Sequence, residues 1–367
     1  MNSTHGLDQR LESLDALRGF DMFWIIGGSW IFLALHGIFG SQVTELVRTQ
    51  LTHVEWAGFR FWDIIMPLFL FIVGTAMPFS FAKRSEHGDS HARILGHVLK
   101  RFGILFILGM AAQGHLLQYD LSRLHLFSNT LQAIAAGYLA ASLALLYLDK
   151  KSQAALTGGL LLVFWALMAW IPVPGYGAGS LTPQGNLAMH IDRLILGSFR
   201  DGTDYTWILS SLGFAATVLM GVLAGHLMRS SLKPYRKVFW LTLSGVVCVL
   251  AGLLWGLAFP IIKHLWTSSF VLFSGGVCLL LLAVFYLIID VWGKRRWAFV
   301  FKVIGLNAIA VYMATMLFDF RILGDIFVGG LEQYLGSGFA LVRSLAGFSV
   351  VWLILYFMYR RRIWIKI

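Results

Sequence analysis

The chain has 367 residues, 58% of them hydrophobic and only 13% charged, with a formal net charge of +11. Soluble domains carry about 25% charged residues, so a water-soluble globular protein is excluded. The positive charge by itself fits a nucleic-acid binder. Here, however, Lys and Arg fall in short clusters between apolar segments, the distribution of cytoplasmic loops in a membrane protein, and no nucleic-acid role is expected.

Residues 1–16 are polar, and the first apolar segment lacks an Ala-x-Ala-like exit, so it reads as a retained span and not as a cleaved signal. A span needs about 20 mostly apolar residues. Such segments lie near 17–39, 61–82, 98–117, 129–148, 155–172, 206–228, 238–258, 268–290, 298–318 and 337–359. The predicted fold is an all-α polytopic membrane protein of about ten transmembrane helices, a single domain over 1–367. Arg10, Arg18, Lys83, Arg84, Arg93, Lys100, Arg101, Lys150, Lys151, Arg229, Lys233, Arg236, Lys237 and the clusters at 294–302 and 360–366 fall on one side. Arg48, Arg60, Arg123, Arg193, Arg200, Lys263 and Arg321 fall on the other. A roughly threefold excess puts the first side in the cytoplasm, with both termini, and turns His53 and the long loop 173–205 outward. That loop opens with turn-forming residues, Pro172-Val173-Pro174-Gly175, and reads as an ordered lid. Cys248 and Cys278 lie inside apolar segments and read as packing thiols. No internal repeat is apparent, which weakens an inverted-repeat transporter reading.

The polar residues near these spans carry the functional information. His53 stands just before a very apolar segment, in His53-Val54-Glu55-Trp56-Ala57-Gly58. An interfacial histidine beside a belt tryptophan is the simpler account; a general base or an acyl-carrying nucleophile is the functional one. Asp63 either pairs with Arg60 at i,i+3 or orients His53 as the third group of a triad does. Ten residues separate the two, so a bend before Asp63 is required. Asp15, Arg18 and Asp21 form either a salt-bridged helix start or a site that offers Arg18 to a phosphate. Gln113, His115, Asn129 and Gln132 cluster at the depth of His53, where they either bridge helices or line a hydrophilic cavity. Asn307 with Tyr312 is a similar case. Lys263, His264, Trp266, Thr267, Ser268 and Ser269 form another outer cluster. Gly27-Gly28 and Gly275-Gly276 read as helix-packing points. The chain has no zinc-ligand spacing, no Walker loop and no dinucleotide fingerprint, so no metal is expected.

Five blocks in order resemble the heparan-alpha-glucosaminide N-acetyltransferase family, and more closely its bacterial, NagX-like members. They are Arg10 to Asp21, His53 to Gly58 with Asp63, Pro67 and Gly74, then Gly185-Asn186-Leu187 with Ile191-Asp192-Arg193, Leu265 to Phe270, and Gly305 to Ala308. The resemblance covers nearly the whole chain. It implies a homodimeric multi-pass enzyme of the bacterial inner membrane that takes acetyl from cytoplasmic acetyl-CoA and delivers it to an amino sugar, glucosamine-like, on the periplasmic side. It implies His53 as base or acetyl carrier and Asp63 as its partner. CoA phosphates are then expected near Arg18, with Lys100 or Arg101. Gln113, Asn129, Gln132, Asn186, Trp266, Ser269 and Asn307 are candidates for holding the acceptor or the tetrahedral oxyanion. By this resemblance the chain is expected to lack the N-terminal lumenal domain of the animal enzymes, and it places Ile25 and Ile26 before Gly27-Gly28, where those enzymes carry an Asn. A sugar transporter without acyl transfer is the alternative, and an acyl group other than acetyl is a third reading.

Overall fold

The structure, a computed structural model, describes residues 11–365. Arg10 and Lys366, both assigned above to the basic side, lie outside the described residues.

The chain is all-helical among the described residues. Nine helices there are long and apolar enough to cross a membrane, or ten if one sharply bent pair counts as a single span. The protein is therefore a multi-pass membrane protein. The spans are α1 (Glu12–Phe39), α3 (Phe61–Glu86), α4 (His91–Ala112), α5 (Thr130–Tyr147), α6 (Lys150–Trp170), α8 (Ser211–Arg229), α9 (Pro234–Gly256) and α10 (Ser268–Val291). The bent pair α11 (Phe299–Gly305) and α12 (Ala308–Leu317) follows. A last apolar stretch holds α13 (Phe320–Val328) and α14 (Phe339–Arg360). Two short helices, α2 (Gln42–Gln50) and α7 (Leu187–Leu196), lie in the connections at the His53 end.

With few charges to pair, the helices hold together through close backbone approach, as membrane bundles do. A Cβ on Gly19 of α1 would overlap the Phe301 carbonyl of α11, and one on Gly305 would overlap the Asp15 carbonyl. Gly74 of α3 and Gly221 of α8 stand in the same relation to Val218 and Phe71. The expected packing role of Gly275-Gly276 holds: Gly276 lies against Gly245 and Val249 of α9, and Gly275 against Met220 of α8. Gly27 does something else. Its φ of 149° within a π-turn over Trp24–Gly28 is open to glycine and strained for any other residue, so it bends α1 midway.

The sequence predicts one span over 298–318. The structure breaks it at Leu306–Asn307, and the two legs meet at 76°. Asn307 leaves the helical region (φ −126°, ψ 34°), makes no side-chain cap to α12, and turns its amide to residues 363 and 365. Its Nδ2 donates to the Ile363 carbonyl at 3.1 Å, and its Oδ1 accepts from the Ile365 N–H at 2.9 Å.

The connection 173–205 is anchored at Val173 and from 185 to 192, while residues 174–179 are exposed. Val173 and Gly177 close a turn, Asn186 caps α7, and Val173, Leu187, Phe259, Ile262 and Leu265 share a small satellite core.

Candidate active site

His53 sits in an extended segment between α2 and α3, and Asp63 in the 3₁₀ turn Phe61–Ile64 that opens α3. The chain reverses between them, which supplies the bend that the sequence requires. Arg60 fixes this reversal. Its guanidinium donates to the His53 carbonyl at 2.9 Å and to Thr52 Oγ1 at 2.8 Å, and its own N–H donates to Asp63 Oδ2 at 3.0 Å. The result is a bond from His53 Nδ1 to Asp63 Oδ1 of 2.7 Å. Asp63 is buried, while the His53 side chain is 44% exposed and opens into a cavity.

The rest of the His-x-x-Trp-x-Gly segment anchors this corner to the α9–α10 connection. Ala57 pairs with Ile262 as an isolated bridge, and the Gly58 N–H donates to the Ile261 carbonyl at 2.8 Å. Gly58 has φ of 126°, which favours glycine at that position. Trp56 Nε1 donates to the Leu181 carbonyl, and its ring stacks on His264, whose other neighbour is the Tyr205 ring at 4.2 Å. His264 is the residue next to Lys263. The Lys263 Nζ reaches Asp63 Oδ1 at 3.4 Å and His53 Nδ1 at 3.2 Å. Burial pulls Lys263 down to about 8, with the Asp63 carboxylate opposing that shift, and burial pulls His264 down to about 4.

The cavity that His53 faces has a volume of about 430 Å³. Its walls include Trp62, Phe69, Gln113, Ser128, Asp201, Tyr205, Lys263 and Tyr312. A second cavity of about 400 Å³ occupies the other half of the bundle, lined by Arg18, Arg101, Tyr138, Leu306 and Trp364. Phe69 of α3 belongs to both linings. Arg18 lies 3.4 Å from Asp15, and the Arg101 guanidinium lies 4.6 Å from the Tyr138 ring centroid while its Nε is buried with no protein partner.

Several residues expected at the chemistry are otherwise engaged. Asn129 lines the His53 cavity, but its Oδ1 caps α5 through the Leu131 and Gln132 N–H groups, and its Nδ2 donates to the Gly109 carbonyl. Gln132 bonds the Leu126 carbonyl and the Ser128 N–H and is fully buried. Asn186 caps α7 and holds the Thr182 and Pro183 carbonyls. Trp266 is buried with Nε1 on Thr217, so it is a core residue and not a belt or acceptor residue. Ser269 bonds the Pro260 carbonyl. Asn307 follows Gly305 and Leu306 of the Arg18 cavity wall, and its amide holds the segment 363–365. Lys100 is exposed and is not part of the Arg18 cavity, whereas Arg101 is. Capping and helix bridging consume these amides because a buried helix end must satisfy its own N–H and C=O groups.

Other polar groups also line the cavity. Ser128 has a hydroxyl buried without a protein partner at the cavity wall. Asp201 accepts from Trp207 Nε1 at 3.2 Å and from Thr203 while facing the cavity. The sequence offers no signal for Asp201 or Tyr205 beyond their place at the end of the outer loop.

Residues 10–175 match a domain of unknown function, DUF5009, a stretch that holds both His53 and Asp63. Heparan-alpha-glucosaminide N-acetyltransferase of Homo sapiens is 24% identical over 98% of this chain and 60% of its own length. This chain is similar to the heparan-alpha-glucosaminide N-acetyltransferases. The enzyme of Mus musculus is also 24% identical, over 71% of this chain and 48% of its own length. The chain spans about half to three-fifths of the length of these curated relatives.

Proposed function

We propose that the protein is a transmembrane acyltransferase that moves an acetyl group from acetyl-CoA, bound in the Arg18–Arg101 cavity, to an amino-sugar amine bound in the His53 cavity. The observation that carries this reading is the pair of cavities in opposite halves of the bundle, one with arginines and one with a His–Asp pair, meeting at Phe69. A phosphorylated donor and a neutral amine acceptor require these opposite chemistries. The names of the human and mouse relatives support the donor and acceptor classes.

In this reading the basic end is cytoplasmic. The guanidinium groups of Arg18 and Arg101 receive the phosphates of CoA. Its pantetheine arm runs past Phe69 and brings the thioester to His53. With Nδ1–H on Asp63, the imidazole presents Nε2 to the cavity as a lone-pair nitrogen. As a base, Nε2 takes the proton of the amine as the C–N bond forms and the C–S bond breaks, then returns it to the CoA thiolate. As an acetyl carrier, Nε2 attacks the thioester carbonyl and expels the thiolate, and the amine then displaces the imidazole. Ser128 and Tyr205 supply hydroxyl donors at the cavity wall for the developing oxyanion. Asp201 offers a carboxylate to the hydroxyl or ammonium groups of the sugar. The part of the 173–205 connection that meets the acceptor is its last turn, which carries Asp201 and Tyr205. The resemblance further supports a homodimer in a bacterial inner membrane.

The test is acetyl transfer from labelled acetyl-CoA to glucosamine by the purified protein. His53→Ala at near wild-type rate would sink the assignment. Sugar flux across proteoliposomes with no need for CoA would favour transport instead. Release of CoA in a burst before any acceptor is added marks the acetyl-carrier route.

A further inference from the structure

We propose that Lys263 is a positioning residue of this site: its ammonium, seated on Asp63, keeps His53 in the neutral form with Nδ1–H on the carboxylate, and so sets the acid limit of the reaction. The inference rests on reading His53 as the reacting group.

The geometry is specific. Asp63 Oδ1 accepts from His53 Nδ1 at 2.7 Å, and Lys263 Nζ stands 3.4 Å from the same oxygen. Nζ is also 3.2 Å from Nδ1. A nitrogen that donates its proton to Asp63 cannot accept one from Nζ. The ammonium therefore lies against the imidazole without bonding it, and a positive charge at that distance opposes a second positive charge on the ring. Asp63 has the reverse effect on the ring, and without Lys263 it would act alone.

Lys263 has little freedom to leave. It is buried, and the turn that carries it is held by Ile262 N–H on Thr267 Oγ1 and by the bridge between Ala57 and Ile262. Burial lowers its own titration to about 8, so it is cationic through the neutral and acid range, where an imidazole takes up protons. The other charged and titratable groups near the ring act elsewhere. Arg60 directs its guanidinium at the His53 carbonyl and Thr52. His264 is held between Trp56 and Tyr205. Asp201 stands across the cavity, and Asp204 faces His264.

The chemical consequence is a faster return of the proton. An imidazolium formed at Nε2 during amine attack is stabilised by Asp63 and destabilised by Lys263, so it hands its proton to the leaving thiolate instead of keeping it. An acetylated imidazole is for the same reason a more reactive donor to the amine.

The experiment compares wild type with Lys263→Met, Lys263→Gln and Lys263→Arg in two readouts over roughly pH 5 to 9, the range in which an imidazole and a buried amine titrate. One is kcat/KM for acetyl transfer. The other is the rate at which diethyl pyrocarbonate, which attacks only neutral imidazole, modifies residue 53, read by mass spectrometry with His53→Asn as the blank. We expect the acid limb to move up by about one pH unit in the Met and Gln variants in both readouts. The Arg variant should hold its acid limb in place and lose any break near pH 8, because guanidinium does not titrate there. An unchanged modification profile in both uncharged variants would overturn the inference, as would a loss of activity that is uniform across pH. If the wild type transfers no acetyl group, the functional reading fails, and the modification profile still decides the role of Lys263. A Met variant that does not fold leaves the Gln variant to answer.

Discussion

His53 and Asp63, ten residues apart in the chain, are joined by a 2.7 Å hydrogen bond from Nδ1 to Oδ1, because Arg60 pins the reversal between them at three points. The bond leaves the other ring nitrogen for the cavity. Asp63→Asn keeps the size of the side chain and removes the charge. Its amide cannot accept from Nδ1–H, the Arg60 N–H and Lys263 as the carboxylate does. Acetyl transfer should fall by about 10²-fold or more, a smaller loss than the roughly 10⁴-fold that the equivalent change costs in a soluble triad, with the protein still eluting as a folded species in detergent. A variant within threefold of wild type would show that Asp63 serves only the helix start.

Arg101 meets the second cavity with a buried Nε that has no protein partner. A phosphate oxygen there forms a charge-assisted bond worth about 1.5 kcal/mol, or about tenfold in affinity. Arg101→Gln should raise the KM for acetyl-CoA by about tenfold and leave the KM for the amine unchanged. Equal effects on both substrates, in initial-rate kinetics, would remove Arg101 from the donor site.

Phe69 walls both cavities and packs against Tyr312 at 6.4 Å between ring centroids. Phe69→Trp enlarges the ring in a helix that is already close-packed against α8. Donor kcat/KM should fall at least tenfold, while binding of a CoA fragment that lacks the pantetheine arm, followed by calorimetry, should be kept. Loss of both would place the defect in folding and not in passage between the cavities.

Asp192 is buried in α7 and accepts the Trp207 and Ile208 N–H groups at 2.7 and 3.0 Å. Burial raises its carboxyl from 3.8 to about 6. Because the folded pKa lies above the unfolded one, the folded state binds more protons between these values, and stability falls as pH rises from about 4 to about 6. Thermal unfolding of Asp192→Asn in detergent should lack that decline, whereas the wild type should show it. Parallel curves for the two proteins would rule out this titration.

Asn307 holds the backbone of residues 363 and 365 with both ends of its amide. Asn307→Ala should free that segment, seen as faster hydrogen exchange at residues 363–365, and should leave exchange around His53 unchanged. No change at residues 363–365 would show that the Trp364 side chain alone seats the segment.

Composition is enough to place this chain in a bilayer, and the length of its apolar segments is enough to count about ten spans, because a bilayer admits few ways to hide a backbone. The His53–Asp63 pairing is legible as a motif, since a histidine and a carboxylate at that spacing stand out beside an apolar run. Three things depend on tertiary contact. The break at Asn307 is invisible in an unbroken run of apolar residues, because its stabilising partner lies 56 residues away at Ile363. Which polar groups are free for chemistry is equally hidden. Asn129, Gln132 and Asn186 resemble site residues in the sequence and turn out to be caps, because only the fold shows which helix ends lie buried and need them. Lys263 is the converse: one basic residue in an outer connection, 210 positions from His53, becomes part of the site only because the α9–α10 turn pairs with Ala57 and Gly58 and carries its ammonium onto Asp63.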